Sequence, residues 1–210
     1  MAQYKLYYSP GACSMAAHVV LNEIGADAEF IKTPTSDGST RKPEFLKINP
    51  FGGIPVLQEG DKAINEGGAI ISYLCDEHNS PLLPKSGWER AEALRWLAFA
   101  NATLHPAYGR TFWINKNLPE DQRADALKTA RAQIQQLWDT IEAQLNASGT
   151  DYLAGKDITA GDILLTVIAN WSPENYKFGA KTKALFQSVT ARPSYQKALA
   201  EEAVEYKAAA

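Results

Sequence analysis

Six apolar residues, Leu127, Ala130, Ile134, Leu137, Ile141 and Leu145, recur every three or four positions between Asp121 and Ala147. That spacing predicts a long amphipathic helix and is the strongest periodic signal in the chain. A shorter run of the same kind begins at Ser14, where Ala16, Val19, Val20 and Ile24 share a helical face that Gly25 closes. Ala69, Ile70, Tyr73 and Leu74 predict another helical face in "GAIISYLCDEH". Between these lie shorter runs rich in β-forming residues. "KLYYS" ends at Pro10-Gly11, "AEFIKTP" forms a second strand, and "IPVLQEG" and "KAINEG" flank Gly60-Asp61 as a hairpin. "KPEFLKINP" predicts a short helix between two prolines. The order is β-α-β-α-β-β-α, followed by sequence that reads as helical throughout. "NSPLLPKSG" separates the two, so the expected division is residues 1–78, a linker at 79–87, and an all-helical part at 88–210. In "DITAGDILL", Thr159 and Asp162 have the spacing of a capping box, with Ile158 and Ile163 as its hydrophobic staple. A buried helix from Ala160 to about Trp171 follows.

Composition narrows the function without choosing one. The chain has 210 residues, 45% of them hydrophobic, and a formal net charge of −3. That is enough apolar material for a core without disulfides. No long basic run is present, so the electrostatic footprint of a nucleic-acid binder is missing. The opening "MAQYKLYY" has no apolar signal region, and the longest apolar stretch, "DILLTVIANW", is too short to span a bilayer. Two cysteines, Cys13 and Cys75, do not make a disulfide framework. A cytoplasmic location, with neither nucleic acid nor membrane as partner, is the expectation. No cluster has metal-ligand spacing, and no phosphate-binding glycine loop is present.

Four stretches carry candidate chemistry. Cys13 lies between the Pro10-Gly11 turn and a helix start, where free N–H groups and the helix dipole favour a thiolate and a lowered pKa. Cys75, in mid-helix, reads as core, as do His18 and His78. Pro55 enters a strand in "NPFGGIPVL", a setting for a cis bond that would turn the Ile54 backbone toward an extended peptide. An ordinary edge-strand proline is the simpler reading of that stretch alone. In "NEGGAI", Glu66 suits an ammonium group, and Gly67 with the helix start suits a carboxylate. A tight strand-to-helix turn is the equal alternative. His105 shares a face with Leu97 and Asn101, and Pro106 should kink or break the helix there.

Together these stretches resemble the cytosolic glutathione transferases, most closely the bacterial beta class. "KLYYSPGACS", "NPFGGIPVL", "NEGGAIISYL" and "DITAGDILL" stand in the family's order and spacing over nearly the whole chain. The resemblance implies a thioredoxin-like N-terminal domain, a helical-bundle C-terminal domain and a homodimer. It implies glutathione as co-substrate, with its sulfur at Cys13, its cysteinyl part on the backbone of Ile54 before a cis Pro55, and its γ-glutamyl end at Glu66 and Gly67. It places His105 near the sulfur. Tyr7, Tyr8, Ser9 and Ser14 are rival hydroxyl donors to that sulfur, and Tyr108, Phe112 and Trp113 are candidate walls of a cleft for a small hydrophobic electrophile. Lys32, Arg41 and Lys42 are candidates for the glycine carboxylate. Phe51 and Pro106 stand where the class usually has lysine. The implied activity is glutathione conjugation. The alternatives are glutaredoxin-like thiol exchange through Cys13 and a non-catalytic ligand-binding protein.

Overall fold

The computed structural model describes residues 2–209. The β-forming runs become β1 (Tyr4–Tyr8), β2 (Ala28–Lys32), β3 (Val56–Glu59) and β4 (Lys62–Asn65), in one sheet of order β2-β1-β3-β4. β1 pairs parallel with β2 and antiparallel with β3, and β3 pairs antiparallel with β4 across the Gly60-Asp61 turn. Alternation decides the faces. Tyr4, Leu6 and Tyr8 are buried on the side covered by α1 (Ser14–Glu23) and α3 (Gly67–Glu77). Tyr7 points the other way, edge-on to Phe45 of α2 (Pro43–Ile48) with ring centroids 5.7 Å apart. This is the thioredoxin-like arrangement.

The helical part comprises α4 (Gly87–Ala98), a π-helical segment (Phe99–Leu104), α5 (His105–Asn117), α6 (Glu120–Ser148), α7 (Ala160–Ala169), α8 (Ala180–Thr190) and α9 (Pro193–Glu202). α7 is buried on every side, packed against α1, α4 and α8. Its start is fixed as the local pattern predicts. Asp162 Oδ2 accepts from the Thr159 N–H at 2.8 Å and the Thr159 hydroxyl at 2.9 Å, and Oδ1 accepts from the Leu153 N–H at 3.0 Å. Gly161 lets α7 approach α4, because a Cβ there would lie 2.9 Å from the Leu97 nitrogen.

Several faces are rotated from their predicted positions. In α6 the buried stripe runs through Trp138 and leaves Leu137 half-buried, because 3.6 residues per turn carry the face from Ile134 to Trp138 to Ile141. In α3 the core takes Ile70, Ile71, Leu74 and Cys75, leaving Ala69 exposed and Tyr73 half-buried. α1 is buried all round from Ser14 to Leu21, since α9 covers the side away from the sheet. His18 there is a core residue with both ring nitrogens bonded, to Glu202 at 2.9 Å and Glu201 at 2.7 Å. The stretch between α3 and α4 is turn-like, yet it inserts Leu82 and Leu83 into the core.

Candidate functional site

Cys13 immediately precedes α1, in helical conformation, at the seam between the sheet and the helical part. The turn before it is closed by the Ala12 N–H on the Ser9 carbonyl, 3.1 Å. Ser14, fully buried, braces that turn from behind: its hydroxyl donates to the Ser9 carbonyl and accepts from the Ser9 N–H, each at 3.2 Å. The Cys13 thiol donates to the Ile54 carbonyl, with sulfur and oxygen 3.8 Å apart. The Ile54-Pro55 peptide bond is cis, as the family resemblance implies and against the simpler reading of the stretch alone.

Two cavities meet at this thiol, and Cys13, Gly53, Ile54 and His105 line both. The first, about 360 Å³, is bounded by Ile54 and Pro55 on one side, Glu66 and Gly67 on another, and Asn101 and His105 from the helical part. Glu66 holds φ = 71° at the start of α3, in the left-handed region where a side chain costs about 1–3 kcal/mol. That conformation turns the chain from β4 into the helix and leaves the Glu66 carboxylate exposed at the cavity. Asn49, buried, shapes the next turn. It donates to the Gly53 carbonyl at 2.9 Å and accepts from the Phe51 N–H at 3.2 Å. The second cavity, about 450 Å³, is bounded by residues 9–13, Thr35, His105, Phe112 and Trp171.

The electrostatics of the two central groups follow from burial. The Cys13 thiol is pushed up to about 11. Burial is the largest cause, and Glu66 adds to it; the N–H groups of Ser14 and of Cys13 itself work the other way without prevailing. This corrects the expectation of a lowered pKa: the helix start acts as expected but is outweighed by desolvation. Burial likewise lowers the pKa of His105, against a smaller opposing effect of Glu66. The imidazole is therefore neutral at pH 7.

The helix does not break at His105. Its backbone is helical, φ −56° and ψ −51°, and the irregularity lies upstream in the π-helical Phe99–Leu104 segment. The wider π turn accommodates the missing N–H and the bulk of Pro106 while the chain stays helical. Asn101 and His105 consequently both reach the first cavity. Among the rival donors, Tyr7 is committed to Gln58 at 3.1 Å, Tyr8 is buried edge-on to His18, and Ser14 is spent on Ser9. Ser9 lines the second cavity. Of the proposed wall aromatics only Phe112 lines it. Tyr108 is core, accepting from Trp138 Nε1 at 3.0 Å, and Trp113 stands 57% exposed elsewhere on α5. Trp171 supplies the aromatic wall instead; at the end of an apolar helix, nothing in its sequence setting separates it from core. Lys32, Arg41 and Lys42 do not line either cavity, although Arg41 donates to the Phe51 carbonyl at 3.3 Å.

Comparison with known proteins agrees with this geometry. Residues 2–76 match the family model described as glutathione S-transferase, N-terminal domain, and residues 99–193 match its C-terminal domain counterpart. The chain is 34% identical to glutathione S-transferase GST-4.5 of Xanthomonas campestris pv. campestris, over 94% of this chain and 98% of the relative. A glutathione S-transferase from Xylella fastidiosa superposes with a TM-score of 0.88 at 29% identity, covering 96% of this chain and all (100%) of the other. The glutathione transferase URE2P6 from Phanerochaete chrysosporium, solved in complex with oxidized glutathione, superposes with a TM-score of 0.86 at 25% identity, covering 96% and 97%. With two family domains matched in order and a two-cavity cleft at their seam, the chain belongs to the glutathione S-transferase family.

Proposed function

We propose that this enzyme joins glutathione to small apolar electrophiles, with glutathione in the first cavity and the electrophile in the second. The observation that carries the proposal is the meeting of the two cavities at Cys13 and His105. The backbone of Ile54 pairs with the cysteinyl part of glutathione. Glu66 receives the γ-glutamyl ammonium, and Gly67, with the first N–H groups of α3, receives its carboxylate. Arg41, which donates to the carbonyl of the cavity-lining Phe51, is the candidate for the glycine carboxylate. The cysteinyl N–H of glutathione takes the Ile54 carbonyl from the Cys13 thiol, whose S–H then turns to the glutathione sulfur.

Two protein groups act on that sulfur. Cys13, protonated at neutral pH, donates its S–H to the glutathione thiolate and stabilises the charge. The neutral imidazole of His105 takes the proton as the thiolate forms. The thiolate attacks the electrophilic carbon, a C–S bond forms, and the leaving group departs with its electron pair. Holding the reactants side by side supplies much of the acceleration. Thiol exchange through Cys13 is the second reading, favoured by the cysteine's position at the junction. It requires a Cys13 thiolate, which burial opposes.

The presence of Cys13 in the first loop supports assignment to the bacterial beta class. The exposed Ile64 of β4, beside Ala63 and Tyr73 and flanked by Glu59 and Lys62, supports a homodimer built on β4 and α3. Membership of the family supports a detoxifying enzyme of the cytoplasm, and the gap between α3, ending at Glu77, and α4, starting at Gly87, supports domains at 1–78 and 88–210 joined by 79–87. Among the described residues no helix is long and apolar enough to cross a membrane. The test is twofold. Glutathione at about 100 times its Kd should add about 2.7 kcal/mol of stability, roughly 5–10 °C in Tm for a chain of this size. A nitroaryl halide should be conjugated in its presence. An unmoved melting curve together with no conjugate rejects the reading.

A further inference from the structure

Gly11, two residues before the cysteine, has φ = +68° and is held at both its backbone groups by distant segments. Its N–H donates to Glu202 Oε2 at 2.8 Å, and its carbonyl accepts from Trp171 Nε1 at 2.8 Å. Val204 packs against it, 3.5 Å from where a Cβ would stand. The turn's own Ala12–Ser9 bond closes the loop but does not fix where the loop sits on the helical part.

Trp171 has a second commitment. Its ring is a wall of the electrophile cavity. It lies edge-on to His105 with centroids 4.8 Å apart and tilted against Phe112 at 5.8 Å. It is not among the residues lining the glutathione cavity. Its position is set by the turn after α7, where the Trp171 N–H donates to the Ile168 carbonyl at 3.1 Å and Asn170 Nδ2 donates to the Glu205 carbonyl at 2.8 Å. One side chain thus lines the cavity proposed for the electrophile and touches the proposed proton acceptor and the backbone that carries the thiol.

We propose that Trp171 is a positioning and specificity residue: its indole N–H fixes the Gly11–Cys13 turn, and its ring selects the electrophile. The proposal rests on the transferase reading above, with the second cavity as the electrophile site. An indole has one donor, and here Gly11 takes it. Removing that donor leaves the Gly11 carbonyl unpaired and frees the turn to shift, and small displacements at a reacting centre are costly. Removing the ring opens the cavity wall and lowers affinity for flat apolar electrophiles.

Two variants separate these roles. Trp171→Phe keeps an aromatic wall and loses the N–H. Trp171→Leu loses both. For Trp171→Phe, kcat should fall roughly three- to tenfold, while KM for the electrophile and Kd for glutathione stay within about twofold of wild type, an unchanged affinity within the scatter of single contacts. For Trp171→Leu, KM for a nitroaryl electrophile should also rise about fivefold or more. The rate of Cys13 alkylation by iodoacetamide, read by mass spectrometry of the Cys13 peptide without glutathione, should change in both variants. That measurement stands even if the protein conjugates nothing, so failure of the transferase reading and failure of this one are distinguishable. Wild-type kcat and wild-type alkylation in Trp171→Phe overturn the positioning role. A loss of glutathione affinity parallel to kcat reduces Trp171 to a structural residue. If Trp171→Phe does not fold, Trp171→His, which keeps a ring N–H on a smaller ring, should retain the wild-type alkylation rate with a raised electrophile KM, and the opposite pattern overturns the proposal.

Discussion

At Cys13 two influences oppose each other. The start of α1 presents N–H groups that favour a thiolate, while burial and Glu66 favour the thiol, and burial prevails. Alkylation of Cys13 should therefore be slow at pH 8 and climb toward pH 11, and a rate already at its plateau at pH 7 contradicts the account. The sign of the linked stability follows. With the folded pKa raised from 9.0 to about 11, the contribution of this thiol is intact below pH 9 and is lost as the pH rises toward 11. A protonated thiol also makes a definite statement about catalysis. Cys13→Ser keeps a donor and should retain most conjugation, whereas Cys13→Ala should lose roughly a hundredfold. Equal loss in both points to thiol exchange instead. The position of Cys13 was legible because turn and helix start are local. Its protonation was not, because burial is set by the packed chain around it and the opposing charge of Glu66 comes from 53 positions away.

Among the elements, α7 is the one whose boundary is most fully written in adjacent residues. Thr159 and Asp162 close its start, and Asp162 also reaches Leu153, so one carboxylate satisfies three donors. Asp162→Ala leaves them unpaired in the core and should cost about 2–4 kcal/mol in urea denaturation. A change under about 0.5 kcal/mol, the level of an ordinary surface substitution, would mean the box is dispensable. Such signals are short-range and survive translation into structure. The π-helical turn before His105 was not legible, since proline is read as a breaker and only packing against the rest of the bundle keeps the chain helical. The rotated faces of α3 and α6 have a similar origin. Apolar residues at spacing three and four fit two neighbouring faces, and the partner element chooses between them.

In the whole molecule the site exists only where the two parts meet. The sheet side contributes Cys13, Ile54, Pro55, Glu66 and Gly67, and the helical side contributes Asn101, His105, Phe112 and Trp171. The order of elements and the thioredoxin-like half were legible from period and turn chemistry. The seam was not, because contacts such as His18 with Glu202 and Gly11 with Trp171 join residues 184 and 160 positions apart. Trp171 reaches the site through such a contact and carries no local mark of it, whereas Asn49 shapes its turn by local bonds to Gly53 and Phe51. The central claim is that glutathione lies in the first cavity with its sulfur at the junction. A crystal structure of the glutathione complex tests it most directly. The account predicts the sulfur against the Cys13 thiol and the edge of His105, the peptide along Ile54, and the γ-glutamyl end on Glu66 and Gly67. Glutathione bound with its sulfur turned away from Cys13, or seated outside this cavity, would contradict it.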